Sequence, residues 1–118
     1  NYKTMEQRRV LFTLGVTYDT SAETLNEIPL IIKNIIEGVG ETTFGRAHFF
    51  SYGAYSLNFE VVYYVLSSDY DKYMDIHQQV NLKIKEAFDN RKIEFAFPTQ
   101  TLYVSSAAAI AAPENARL

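Results

Sequence analysis

The sequence predicts an α+β sandwich in which a four-stranded antiparallel sheet carries two helices on one face, connected in the order βαββαβ. Three observations predict it. Apolar residues alternate with a period of two in three separate stretches, they recur at three- and four-residue steps in two others, and strand-like and helix-like stretches interleave along 118 residues. A chain of that length suits one domain with a single two-layer core.

The elements follow in order. From Arg9, the residues Val10, Phe12, Leu14 and Val16 fall on one face of a strand, and Leu11, Thr13 and Gly15 fall on the other. Tyr18, Asp19, Thr20 and Ser21 supply turn chemistry. Thr20 and Glu23 have capping-box spacing, which predicts a helix starting near Ser21. Leu25, Ile28, Ile32, Ile35, Ile36 and Val39 draw the apolar stripe of that helix, and Gly38 and Gly40 close it. Pro29 stands inside it. Proline lacks an amide donor and its ring clashes one turn back, so a kink or a restart is expected there.

Residues 44–52 and 56–66 read as two strands of a hairpin separated by Gly53 and Ala54. In the second, Leu57, Phe59, Val61, Tyr63 and Val65 alternate with Asn58, Glu60, Val62 and Tyr64, which predicts one packed face and one wetter face. Ser68, Asp69 and Asp71 are suited to capping a long second helix and to its dipole. Its stripe is Tyr73, Ile76, His77, Val80, Ile84, Ala87 and Phe88, with a stop at Asn90. A last strand is expected within residues 93–104, limited by Pro98. This order is the split βαβ pattern of a ferredoxin-like sandwich. Residues 1–8 read as a linker from an upstream domain, 9–104 as the folded domain, and the Ser- and Ala-rich residues 105–118 as a flexible tail.

Composition narrows the function. With 11 Lys and Arg against 14 Asp and Glu, the formal charge of -3 offers no net attraction to phosphate backbones. The absence of cysteine removes thiolate nucleophiles, disulfides and Cys-ligated metal sites. The longest apolar runs, such as residues 29–32 and 61–66, fall far short of the ~20 residues that cross a bilayer. Residues 52–59 match the RNP1 motif of RNA-binding sheets poorly, because Tyr52 holds its basic position, Ser56 its central aromatic position, and Glu60 follows. No nucleic-acid partner is expected.

Catalysis finds no foothold either. His48 and His77 lack partners at metal-ligand spacing, and neither a nucleophile elbow nor a phosphate loop is present. His77 lies on an apolar stripe and reads as a core or subunit-contact residue. Asp69, Asp71 and Asp75 are accounted for by the helix start. No catalytic residue, metal or cofactor is expected. The nine tyrosines and eight phenylalanines are a heavy aromatic load for this core, and Tyr52, Tyr55, Tyr64 and Tyr103 suit either a half-exposed sheet or a protein interface.

An ordered series of blocks carries a family resemblance: Arg8-Arg9-Val10, Leu14-Gly15-Val16-Thr17-Tyr18-Asp19-Thr20, Glu27-Ile28-Pro29 and Phe44-Gly45-Arg46-Ala47-His48-Phe49. Ser56-Leu57-Asn58-Phe59-Glu60, Tyr63-Tyr64-Val65, Asp69-Tyr70 and Tyr73-Met74-Asp75-Ile76 continue it, and Phe95-Ala96-Phe97-Pro98-Thr99-Gln100-Thr101-Leu102-Tyr103 ends it. Together they resemble the small-conductance mechanosensitive channel (MscS) family over about residues 8 to 104. The resemblance implies the C-terminal cytoplasmic domain of a channel that opens under bilayer tension in the inner membrane and releases ions and small solutes in osmotic downshock. It also implies identical subunits, a heptamer in the full-length channel, walling a cytoplasmic vestibule. The family's membrane helices, pore-lining helix and β domain are not in this sequence, and the tail does not resemble the barrel strand found in some members.

Exposure patterns nominate three surfaces for subunit contacts: the strand holding Arg46, His48 and Tyr52, the wetter face around Val62 and Tyr64, and the ending with Leu102 and Tyr103. Two other functions are compatible with the fold order. One is a small-molecule-sensing regulatory domain. The other, a hydrolase of acylphosphatase type, would need an anion cradle after the first strand, where residues 16–21 have no glycine and bring in Asp19.

Overall fold

The computed structural model describes residues 6–98 and Leu102. Three strands and two helices occur in the order β1 (Arg8–Val16), α1 (Ala22–Val39), β2 (Thr42–Tyr52), β3 (Leu57–Val65) and α2 (Tyr70–Asn90). The sheet order is β1-β3-β2, and both pairings are antiparallel. β3 is therefore the central strand, and its packed face is the one that the sequence predicts, while Val62 on the other face is buried as well. Leu57, Phe59, Val61, Tyr63 and Val65 are buried, and both helices pack their stripes into the same core.

The helix starts rest on side-chain caps. Ser21, not Thr20, is the N-cap of α1, its Oγ accepting from the Thr24 amide at 3.1 Å. Thr20 is one residue too early: its amide closes a turn back to the Thr17 carbonyl at 3.1 Å. Asp69 caps α2 by accepting from the Asp71 amide at 3.2 Å, and Ser67 Oγ in turn accepts from the Asp69 amide.

Pro29 does not divide α1, which runs through it as one helix. An interior proline costs about 3 kcal/mol. Ile28, Ile31, Ile32 and Ile36 are buried around it, and full burial of such a side chain contributes roughly 1.5–3 kcal/mol. Four such residues outweigh one missing helical bond. At the exit, Gly40 has φ of 92°, a backbone conformation that suits glycine, and lets the chain turn directly into β2.

β2 bulges twice, between Phe44 and Arg46 and between Phe49 and Ser51. The first bulge seats the Gly45 backbone against Val62. A Cβ at Gly45 would lie 2.7 Å from the Val62 carbonyl oxygen, so only glycine fits without a backbone shift.

The expected fourth strand is present only as its start. Phe95 forms an isolated antiparallel bridge with Val16, fixed by Thr17 N–H to the Glu94 carbonyl at 3.1 Å and Ala96 N–H to the Gly15 carbonyl at 2.9 Å. Among the described residues the sheet has three strands, and no ladder bond follows Ala96. Pro98, without an amide, cannot extend one. Residues 99–101 and 103–104 of that expected strand lie outside the described residues, as does the predicted tail.

Two substitutions separate these constraints. Gly45→Ala is expected to lower stability by about 1–3 kcal/mol through overpacking on the Val62 carbonyl. Gly38→Ala, where a Cβ meets nothing within 4 Å, is expected to raise it by roughly 0.5–1 kcal/mol through helix propensity. Urea unfolding of the two variants beside the parent chain reads both signs.

Candidate functional site

The helices occupy one side of the sheet, and the other side is uncovered by any described element. Strand alternation decides what that side displays. The register aligns its residues in rows across β1, β3 and β2: Arg9, Tyr64 and Thr43; then Leu11, Val62 and Arg46; then Thr13, Glu60 and His48. Four of the residues nominated from the sequence, Arg46, His48, Val62 and Tyr64, thus share one face.

Their roles on it differ. Arg46 Nη1 pairs with Glu60 Oε1 at 2.7 Å, with side chains 42% and 25% exposed. Such partly hydrated pairs contribute at most about 1 kcal/mol, so this one orients charge more than it stabilises the fold. His48 is exposed and sits directly across from Glu60. Tyr64 is half-buried. Val62, although on the uncovered side, is only 2% exposed, with Leu11 and Arg46 as its cross-strand neighbours and the Gly45 backbone against it. The accessible surface of that row belongs to Leu11, which is 51% exposed, and to Arg46.

Tyr52 stands apart at the end of β2, 77% exposed, with its ring 5.2 Å edge-on from Phe49. Leu102 is 72% exposed. Tyr103 lies outside the described residues.

Leu11 is a contributor to this face that was not nominated, and Phe50, 51% exposed, is a further exposed apolar residue of β2 that was not. The alternation of the first strand already put Leu11 with Thr13 on the wetter side. Phe50 is unpaired in the second bulge, and a one-residue bulge leaves no trace in a period-two pattern. Among the described residues there is no group of three or more side chains able to hold a metal, and no helix is long and apolar enough to cross a membrane.

Among the described residues the two-layer α+β domain thus leaves one sheet face bare, carrying an exposed leucine, an ion pair and a histidine. The family described as "Mechanosensitive ion channel MscS, C-terminal" matches residues 10–95. The small-conductance mechanosensitive channel MscMJ of Methanocaldococcus jannaschii is 43% identical over 105 residues, covering 88% of this chain and 30% of that protein. The large-conductance channel MscMJLR of the same organism is also 43% identical, over 110 residues, with the same coverage. The low conductance mechanosensitive channel YnaI of Escherichia coli is 27% identical over 119 residues. The closed-state crystal structure of Helicobacter pylori MscS shares the fold, with a TM-score of 0.62 and 20% identity over 85% of this chain and 39% of that one. This chain belongs to the MscS family of mechanosensitive channels, whose members are not enzymes, and its body is the family's C-terminal domain. It spans about 30% of the length of the first two relatives.

Because the Arg46–Glu60 pair is partly hydrated, Glu60→Gln is expected to change stability by less than about 1 kcal/mol. A larger loss on chemical unfolding would show that the pair holds the sheet together rather than dressing its surface.

Proposed function

We propose that this chain is the cytoplasmic C-terminal part of an MscS-type channel of the inner membrane, and that residues 9–104 wall a vestibule through contacts between identical subunits. The supporting observation is the match over residues 10–95, which runs from the first buried residue of β1 to the bridge at Phe95 and so coincides with the folded body. In this reading the parent channel opens under tension in osmotic downshock, and ions and small solutes pass through gaps between subunits. The domain alone neither senses tension nor conducts. In this reading the fourth strand of the ferredoxin-like sheet is the segment at Phe95, which bridges Val16 on the outer edge of β1.

A ring of identical subunits, about seven here, requires heterologous contacts, one patch meeting a different patch on the next copy. The uncovered face, through Leu11, Arg46, His48 and Tyr64 with Val62 as its floor, is one such patch. Tyr52 at the end of β2 and, separately, the Leu102–Tyr103 ending are the candidates for the patch that it meets. The partners are copies of the same chain, with neither nucleic acid nor cofactor involved.

Light scattering behind size exclusion tests the assembly. This chain alone is expected to run as a monomer or weak oligomer, and a version extended upstream as a ring of about seven. A tight dimer, or monomers from both, would instead favour a ligand-sensing domain. In the full-length channel, Tyr64→Ala and Leu102→Ala are expected to weaken the ring, and an intact ring from both would remove these patches from the interface.

A further inference from the structure

On the helix-covered side, near the start of α2, a polar group sits inside an aromatic cluster that lies apart from the proposed contact patches. Tyr63 of β3 is fully buried, and its hydroxyl lies 2.8 Å from His77 Nδ1 of α2. That is the one hydrogen bond the phenol makes among the described residues. Since a buried O–H must be satisfied, the phenol donates, Nδ1 accepts, and the neutral ring keeps its proton on Nε2. His77 lies nearly parallel to Tyr63 and to Tyr73, at 6.0 and 5.8 Å between centroids, and meets Phe12 of β1 edge-on at 5.2 Å. Three elements therefore converge on one imidazole.

One charged side chain shares this aromatic cluster, and it is a cation. From β1, the Arg8 guanidinium lies 5.1 Å from the centroid of Tyr73 and 5.4 Å from that of Tyr70, so it shares the Tyr73 ring with His77. Arg8 Nη2 reaches the Ser68 carbonyl only at 3.5 Å, and its Nε is buried without a partner. From β3 and from α2 itself the titratable neighbours are the phenols of Tyr63 and Tyr73. The side-chain ion pairs of α2 are Lys72 with Glu41 and Lys85 with Asp89, and among the described residues no carboxylate pairs with His77.

We propose that His77 and Tyr63, with Arg8 beside them, form an acid-released latch: a neutral imidazole holds the first turns of α2 on β1 and β3, and uptake of one proton from solvent by His77 loosens them. The proton would go to Nδ1, the atom that now accepts from Tyr63. Nδ1 then becomes a donor, and the phenol hydrogen loses its partner in a buried place. A second cation also joins Arg8 at the Tyr73 ring, with no carboxylate to offset it. Burial already holds the imidazole below its ordinary value of 6.5, and it raises the Tyr63 phenol above its own, with Tyr73 adding to that rise. A histidine whose folded value is lowered stabilises the fold at pH above its unfolded value. That contribution is lost as pH falls through 6.5 toward the lower folded midpoint, and it is gone below both.

The latch is independent of the ring of subunits and is tested on the 118-residue chain. Proton NMR titration follows the two imidazoles, with His48→Gln identifying which signal is which. Hydrogen exchange, corrected for intrinsic rates, follows the amides of residues 70–77 against those of α1. The His77 midpoint is expected below 6.5, and protection of residues 70–77 is expected to drop between pH 7.5 and pH 5. The drop should be about tenfold for each pH unit by which the midpoint lies below 6.5, once both midpoints are passed. His77→Gln keeps an acceptor for Tyr63 but cannot titrate, so its protection should stay flat. Tyr63→Phe removes the donor and should move the His77 midpoint up. A midpoint at or above 6.5, flat protection in the parent chain, or an equal drop in His77→Gln would each overturn the latch. Should the variants not fold, the titration and exchange of the parent chain decide the matter together.

Discussion

The fold depends on the position of β3, hydrogen-bonded along both edges and apolar along one whole face. Five of its nine residues, Leu57, Phe59, Val61, Tyr63 and Val65, form the floor on which α1 and α2 sit. A strand with neighbours on both sides cannot slip by one residue without turning that floor toward water, so β3 sets the register of β1 and β2 as well. The bare face inherits its composition from the same register. Arg46, Glu60 and His48 meet because β3 puts Glu60 opposite His48, and Arg46, two residues before His48 in a regular stretch of the ladder, lies on the same face.

Much of this is legible in the sequence, because a period of two or of three to four residues needs no knowledge of distant contacts. Both helices, the hairpin and the inward residues of β1 and β3 follow from it. The misreadings have local causes. Thr20 and Ser21 are both good caps, and choosing between them requires knowing that Thr20 is spent on the turn from Thr17. Pro29 predicts a break by its own chemistry, and the burial of four isoleucines around it overrides that chemistry. The last strand is read from Ile93, Phe95 and Phe97, of which only Phe95 reaches β1 in a bridge.

The surface was less legible than the core. The sequence offered the strand of Arg46 and His48 and the face of Val62 and Tyr64 as two separate surfaces; only the register across β3 joins them, and Val62 is hidden there by the close approach of Gly45 from the next strand. The pairing of Tyr63 with His77 joins residues 14 positions apart on different elements, and no motif announces it. His77 could be read as an interior histidine from its stripe, and its acceptor role is visible only once β3 is beneath it.

The two bulges in β2 have a further effect. In the three-stranded sheet β2 is an outer strand, and a regular outer strand offers evenly spaced amides and carbonyls to any passing chain. At Gly45 and Phe50 that spacing is interrupted, so a foreign strand could follow this edge for only a few residues before falling out of step. Were two copies to meet along this edge, the interruption would disfavour growth of the sheet from one to the other and leave side chains rather than backbone to decide the contact.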